Sequence, residues 1–218
     1  MTLKRLLKFI EEGENLHTEF KQRFSTHQKI AKEMIALANT RGGIVIFGVA
    51  DDGSIYGVAS EKEEAELIKE TAENHCEPPL DYQISFFEIE GKEVVVAEIS
   101  ESENKPHRIQ DYLASIDINH SSVYIRVNDK SVLASKEMIK ILQARASKSA
   151  LKNYIVGQNE KIVFDYLNKN ETIDVKTLGA IANISSRRAS RTLIKLVRAD
   201  LLLIHTNGRG EDYFTSAL

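Results

Sequence analysis

The segment at residues 187–198 reads RRASRTLIKLVR, and its five cations, Arg187, Arg188, Arg191, Lys195 and Arg198, recur at helical spacing. At about 100° of rotation per residue, all five fall within one quarter-turn, while Ala189, Leu193, Leu196 and Val197 fall on the opposite side. A helix divided in this way packs on one face and offers the other to solvent. Charge runs are usually plain solvated faces, but those faces commonly mix signs to gain pairs one turn apart. Here no acid interrupts the cations, so they repel one another until an anion arrives. The chemistry this predicts is recognition of a polyanion.

A second set of residues is acidic. Glu14 and Glu19 lie in GENLHTEFK, followed by Lys21 and Arg23, and Asp51 follows the apolar run IVIFGVA. Two carboxylates that share a divalent ion must bring oxygens within about 2.0–2.1 Å of a Mg²⁺. Five residues of strand would hold Glu14 and Glu19 about 16 Å apart. Five residues of helix would rotate them about 140° apart. The chain must therefore bend between them, and Gly13 and Asn15 are the permissive residues. Asp51 also has an ordinary reading, because Asp-Asp-Gly is a turn in which aspartate bonds its own backbone. His75 beside Cys76 could ligate a metal, although a His-Cys pair is more often loop packing. No P-loop, G-x-S-x-G elbow or H-E-x-x-H helix is present.

The elements that must position these residues follow from periodicity and turn chemistry. Ile30, Met34, Leu37 and Ala38 form the apolar stripe of a helix over 27–39, which NTRGG stops. IVIFGVA then reads as a central strand, with IYGVA as its partner across an Asp-Gly turn. A charged helix is expected over 61–74 and strands over Tyr82–Ile89 and Val94–Ile99. The polar stretch from Ser100 to Ser122 is too long for a tight connection, and VYIRVND reads as the last strand of this half. Ser135 has the chemistry to cap a helix over 136–143, and RASKSALKN reads as a connector. In the tail, Asn159, Asp174 and Ser185 or Ser186 are candidate caps of three helices, followed by a hairpin with a Gly-rich tip. Helix, helix, turn, helix, hairpin is the order of a winged helix-turn-helix.

Composition sets outer bounds. The 218 residues are 42% hydrophobic and 28% charged, as in an ordinary globular chain. One cysteine excludes an intramolecular disulfide and a Cys-rich zinc cage. No apolar run approaches the length of a membrane span and the N-terminus turns acidic early, so a cytoplasmic protein is expected. The net charge of -3 is unevenly spread: residues 1–143 carry 17 basic and 25 acidic side chains, and residues 144–218 carry 12 and 7. Such segregation predicts that the tail meets a polyanion.

GENLHTEFK, IALANTRGGIVIFGVADDGSIYGV, KPHRI and VYIRVND, in that order, resemble the Schlafen/AlbA-like DNA-binding domain, over about residues 13–143. The resemblance implies an α+β fold with a mixed or mostly antiparallel sheet. With the tail, the expected organisation is an α/β domain over 1–145 and a small winged-helix domain over 146–218. Some Schlafen proteins carry a metal-dependent ribonuclease site of two Glu and one Asp, which fall here on Glu14, Glu19 and Asp51. This chain departs from those nucleases in having one domain copy and an acidic front half. The preferred expectation is a DNA-binding transcriptional regulator, a homodimer that meets DNA rather than RNA, has no membrane contact and needs no cofactor. Its nucleic-acid contacts would be Lys21, Arg23, Arg41, Arg126, Arg187, Arg188, Arg191, Lys195, Arg198 and Arg209. The alternative is a ribonuclease with Mg²⁺ or Mn²⁺ on the three carboxylates and with Lys21 and Arg126 positioning phosphate. A third reading makes the tail a protein-interaction module.

Overall fold

The computed structural model describes residues 1–113, 116–146 and 157–217. It comprises two units, Met1–Leu133 and Ala134–Leu218. The first unit opens with α1 (Leu3–Glu12), capped by Thr2, whose Oγ1 accepts from Arg5 N, and ended by Gly13 at φ 75°. There follow β1 (Thr18–Lys21), α2 (His27–Asn39), β2 (Gly43–Phe47), α3 (Glu61–Asn74) and the short β3 (Cys76–Glu77). The unit continues with β4 (Tyr82–Ile89), β5 (Lys92–Ile99), the short β6 (Arg108–Ile109), β7 (Tyr124–Val127) and β8 (Lys130–Leu133).

Four strands form one mixed sheet in the order β1-β2-β5-β4, with β1 parallel to β2 and the other pairs antiparallel. The near-continuous apolar run of β2 is explained by burial on both faces. Val45 and Phe47 join Ile30, Met34 and Leu37 of α2 and Ile68 of α3 on one side. Ile44 and Ile46 join Leu6 of α1 and Phe20 of β1 on the other. At the α2–β2 corner Gly43 is required by close approach, since a Cβ there would lie 2.4 Å from the His17 carbonyl oxygen.

Two expectations in this unit change. IYGVA is not a strand: it makes one bridge, Val49 to Ile55, and Gly48 O then accepts from both Tyr56 N and Gly57 N. Val58 N donates to Glu93 O, so the segment crosses to β5, the strand beside β2, instead of pairing back along β2. VYIRVND is not the last strand, because β8 pairs antiparallel with β7.

The second unit contains α4 (Lys136–Ala146), α5 (Gln158–Leu167), α6 (Val175–Ile181), α7 (Ser186–Arg198), and the hairpin β9 (Leu202–Thr206) and β10 (Asp212–Ser216). Its core joins Ile141 of α4 to Val163, Leu178, Leu193, Leu196 and Phe214. Because Ile141 is in that core, the division falls at 133/134 and not at the expected 145/146. Ser135 caps α4 by accepting from Met138 N at 2.9 Å, and Asp174 caps α6 by accepting from Thr177 N at 2.6 Å. Asn159 is not a cap: α5 starts one residue before it, with Gly157 at the cap position and no side-chain bond there. The connector expected over 145–153 lies mostly outside the described residues.

With the division placed at 133/134, the charges separate further. The first unit carries 15 basic and 24 acidic side chains and the second 14 and 8.

Candidate nucleic-acid interface

Helix α7 is entered through a tight turn. Asn183 takes φ 49°, Ile184 N donates to Gly179 O at 3.0 Å, and Ser185 Oγ accepts from Arg188 N at 3.4 Å to cap the helix. A left-handed asparagine at this position is favoured because its short side chain tolerates positive φ. The helix then buries Ala189, Leu193, Leu196 and Val197, as its periodicity predicts. Ser190 and Thr192 are buried as well, and both hydroxyls are satisfied: Ser190 Oγ donates to Glu137 Oε1 at 2.6 Å and Thr192 Oγ1 to Arg188 O at 3.1 Å.

Arg187, Arg188, Arg191 and Lys195 are exposed, and none of them forms an ion pair with a carboxylate among the described residues. Arg198, the fifth cation of the predicted arc, is half-buried. Grooves run along both flanks of the ridge. One is lined by Lys140 and Val175 beside Arg191 and Lys195, the other by Gln158 and Asn159 beside Arg188. Arg209 is exposed at the hairpin tip, where Asn207 Oδ1 accepts from Arg209 N at 2.9 Å and from Glu211 N at 3.0 Å.

The carboxylates of the first unit are drawn into one neighbourhood by the bend their spacing demanded. Asn15 and Thr18 form an antiparallel bridge, and Asn15 also donates to Gly13 O at 3.0 Å and accepts from His17 N at 2.9 Å. The turn brings Glu14 back across the strand, where its Oε1 accepts from Phe20 N at 2.8 Å. Burial holds the Glu14 carboxyl above its ordinary range, and the charges of Glu19 and Asp51 push it the same way. The Phe20 N–H and Lys21 oppose them. In the Asp-Asp-Gly turn it is Asp52, not Asp51, that accepts from Ser54 N, and Asp51 is exposed.

Glu14, Glu19 and Asp51 are not a group of three whose ligand atoms all lie within 4.8 Å of one another among the described residues. Glu19 is 6% exposed, with Oε2 accepting from Arg126 Nη1 at 2.7 Å and Oε1 bonded to Lys21 Nζ. Among the described residues, the one group of three whose ligand atoms all lie within 4.8 Å is His27, Glu70 and His75. Cys76, adjacent in sequence, takes no part; it is buried and its thiol is pushed up to about 12.

Arg126 is a correction to the expected phosphate contacts. It is 3% exposed, and its guanidinium is spent on Glu19, Glu33, Ser131 and the Asn15 and Thr18 carbonyls. Lys21 is half-buried and donates to Phe20 O at 2.9 Å as well as to Glu19. Arg108 is also buried, paired with Glu77 and Asp111. Of the front-unit cations expected to gather on a polyanion, Arg23 and Arg41 are exposed.

The family described as Schlafen, AlbA_2 matches residues 14–135, more than half of the chain. The chain belongs to this family. Two similar solved structures are the DIP2311 protein of Corynebacterium diphtheriae and the N-terminal domain of a protein from Nitrosomonas europaea named as related to the ATP-dependent DNA helicase RecG. The first is 15% identical with a TM-score of 0.49, and the match covers 93% of this chain. This chain spans only 34% of that protein. The second is 20% identical with a TM-score of 0.41, and covers 53% of this chain and 84% of its own. No curated protein matches the chain.

In the Schlafen, AlbA_2 region, the motifs that carry the resemblance are bonded to one another. Asn39 of ANT donates through Nδ2 to His107 O and Tyr124 O, both at 2.9 Å, and accepts from His107 N at 2.8 Å. Thr40 Oγ1 accepts from Arg126 N at 2.9 Å, and Arg126 reaches Glu19 of EFK. His107 spends both ring nitrogens, on Pro78 O and Ser102 Oγ, and its burial lowers the imidazole pKa. Much of the recurring pattern therefore holds the fold together. Sequence reasoning missed Glu33; the one available signal was a carboxylate inside an otherwise apolar helix stripe, which calls for a buried partner.

Proposed function

We propose that this protein binds nucleic acid through its second unit, with that unit acting as a winged helix-turn-helix that docks α7 in the major groove of duplex DNA. The observation that carries the reading is the row of four exposed cations, Arg187, Arg188, Arg191 and Lys195, which form no ion pair among the described residues, on a helix whose reverse face is buried. Membership of the Schlafen, AlbA_2 family agrees with a nucleic-acid role. In such docking the first turns of the second helix meet base edges, which assigns Arg187, Arg188 and Arg191 as readers, and the wing tip puts Arg209 against phosphate. A transcriptional regulator acting as a homodimer on paired half-sites is the role this geometry suits best.

The test is a mobility-shift titration of the full chain on duplex DNA with the Arg188→Glu/Arg191→Glu double variant beside it. The proposal expects the shift to vanish in the variant. Unchanged binding rejects the assignment of α7.

A second reading, a metal-dependent ribonuclease, is supported by one observation: Glu14 lies within the charge influence of both Glu19 and Asp51. Cleavage of labelled structured RNA in Mn²⁺, lost in Glu14→Gln, would favour it. Because Glu19 is locked to Arg126, Glu14 is the cleaner position to substitute.

A further inference from the structure

Two imidazoles and a carboxylate converge where the start of α2 meets the end of α3. His27 is the first residue of α2, His75 caps α3, and Glu70 sits on the last turns of α3. The two rings stack with centroids 4.3 Å apart and planes 10° apart. Glu70 faces both: its Oε2 is 3.7 Å from His27 Nε2 and its Oε1 is 4.0 Å from His75 Nε2.

A neighbouring hydroxyl fixes which nitrogen of His27 is available. Thr71 Oγ1 donates its proton to Leu67 O at 2.7 Å, so its 2.9 Å contact with His27 Nδ1 runs from Nδ1–H to Thr71 Oγ1. Neutral His27 then carries its lone pair on Nε2, the nitrogen turned toward Glu70. This is the arrangement by which an outer partner orients a metal-binding histidine.

We infer that His27, Glu70 and His75 form a binding site for a divalent transition metal, Zn²⁺ being the ion this donor set suits. Two imidazole nitrogens and one carboxylate oxygen, with a solvent position, complete a four-coordinate shell of the kind zinc takes. Mg²⁺ prefers oxygen ligands alone. Bonds of about 2.0–2.2 Å at tetrahedral angles place neighbouring donor atoms about 3.3–3.6 Å apart. The two Glu70–histidine separations exceed that by less than an ångström, the three ligand atoms all lie within 4.8 Å of one another, and the Glu70 side chain, 52% exposed, is free to close the gap. His75, in the helix-ending position, turns out of the stack so that both lone pairs meet one ion. The bound ion would tie together two helices joined by a long stretch of chain. The site lies in the Schlafen, AlbA_2 region and is independent of the α7 reading.

The experiment uses the untagged full chain, stripped with chelator and titrated calorimetrically with ZnCl₂, with thermal denaturation alongside. The expected result is one Zn²⁺ per chain and a raised Tm that chelator reverses, with no response to Mg²⁺. Glu70→Gln and His75→Gln should each weaken binding by more than about 10-fold, and Thr71→Val, which removes the orienting acceptor together with the hydroxyl's bond to Leu67 O, by about 10–100-fold. Glu70 is exposed on its helix, so Glu70→Gln tests the site without disturbing the core. Absence of saturable Zn²⁺ binding, an equal response to Mg²⁺, or binding undiminished in these variants overturns the assignment.

Discussion

At the scale of single residues, the carboxylates of the first unit do two different jobs. Glu19 and Glu33 are 6% and 8% exposed and share the Arg126 guanidinium. Removing one partner from a buried ion pair strands the others, at a cost of about 3–5 kcal/mol. Arg126→Met should therefore lose that much in urea denaturation, while DNA binding by the folded fraction is unchanged. Selective loss of binding without loss of stability would return Arg126 to the interface. Glu14 is different, because its carboxyl titrates above the ordinary value of 4.5 and folding favours its protonated form. The unfolded state ionises first as pH rises, so the fold carries a penalty that grows from about that value and is full once the folded group has ionised. Gln can still accept from Phe20 N while carrying no charge. Glu14→Gln should raise the Tm at neutral pH in chelator, with the gain shrinking as pH falls below the ordinary carboxyl range. A gain that persists in acid would mean that neither burial of the Glu14 charge nor its repulsion by Glu19 and Asp51 is the cause.

At the scale of elements, legibility in the sequence follows from the range of the interaction responsible. The basic face of α7 and its apolar reverse were readable because 3.6-residue periodicity is local, and so were the caps Ser135, Asp174 and Ser185, which act within three residues. The bend between Glu14 and Glu19 was readable as a necessity, and Gly13 and Asn15 do supply it. What sequence did not disclose was the fate of Arg126 and Arg108. Arg126 is neutralised by a strand residue 107 positions away, a pairing that no periodicity encodes. The same holds for the extra buried width of α7: Ser190 is held by Glu137 of α4, 53 residues earlier, so a polar residue became part of a packed face. IYGVA misled because its apolar residues suit a strand, whereas Gly48 and Gly57 let the backbone approach closely and fold across.

At the scale of the whole chain, charge segregation makes a quantitative claim. The first unit carries nine more acidic than basic side chains and the second six more basic than acidic, so a polyanion is attracted to one unit and repelled by the other. Nucleic-acid affinity should fall with salt at a log–log slope of about -0.9 for each phosphate neutralised. If Lys195 and Arg209 each meet one phosphate while Arg187, Arg188 and Arg191 read base edges, a single chain gives a slope of about -1.8 and a dimer on paired half-sites about -3.6. Fluorescence anisotropy of the full chain on duplex DNA between low and moderate salt distinguishes these, and light scattering of the complex gives the number of chains independently. Lys195→Gln/Arg209→Gln should remove about 1.8 of that slope per chain. Arg23→Glu/Arg41→Glu, which alters the exposed cations of the acidic unit, should leave it unchanged. If the second pair of substitutions moves the slope and the first does not, the polyanion lies against the first unit. The field of its excess carboxylates would then have to be overcome by a local cluster around Arg23 and Arg41.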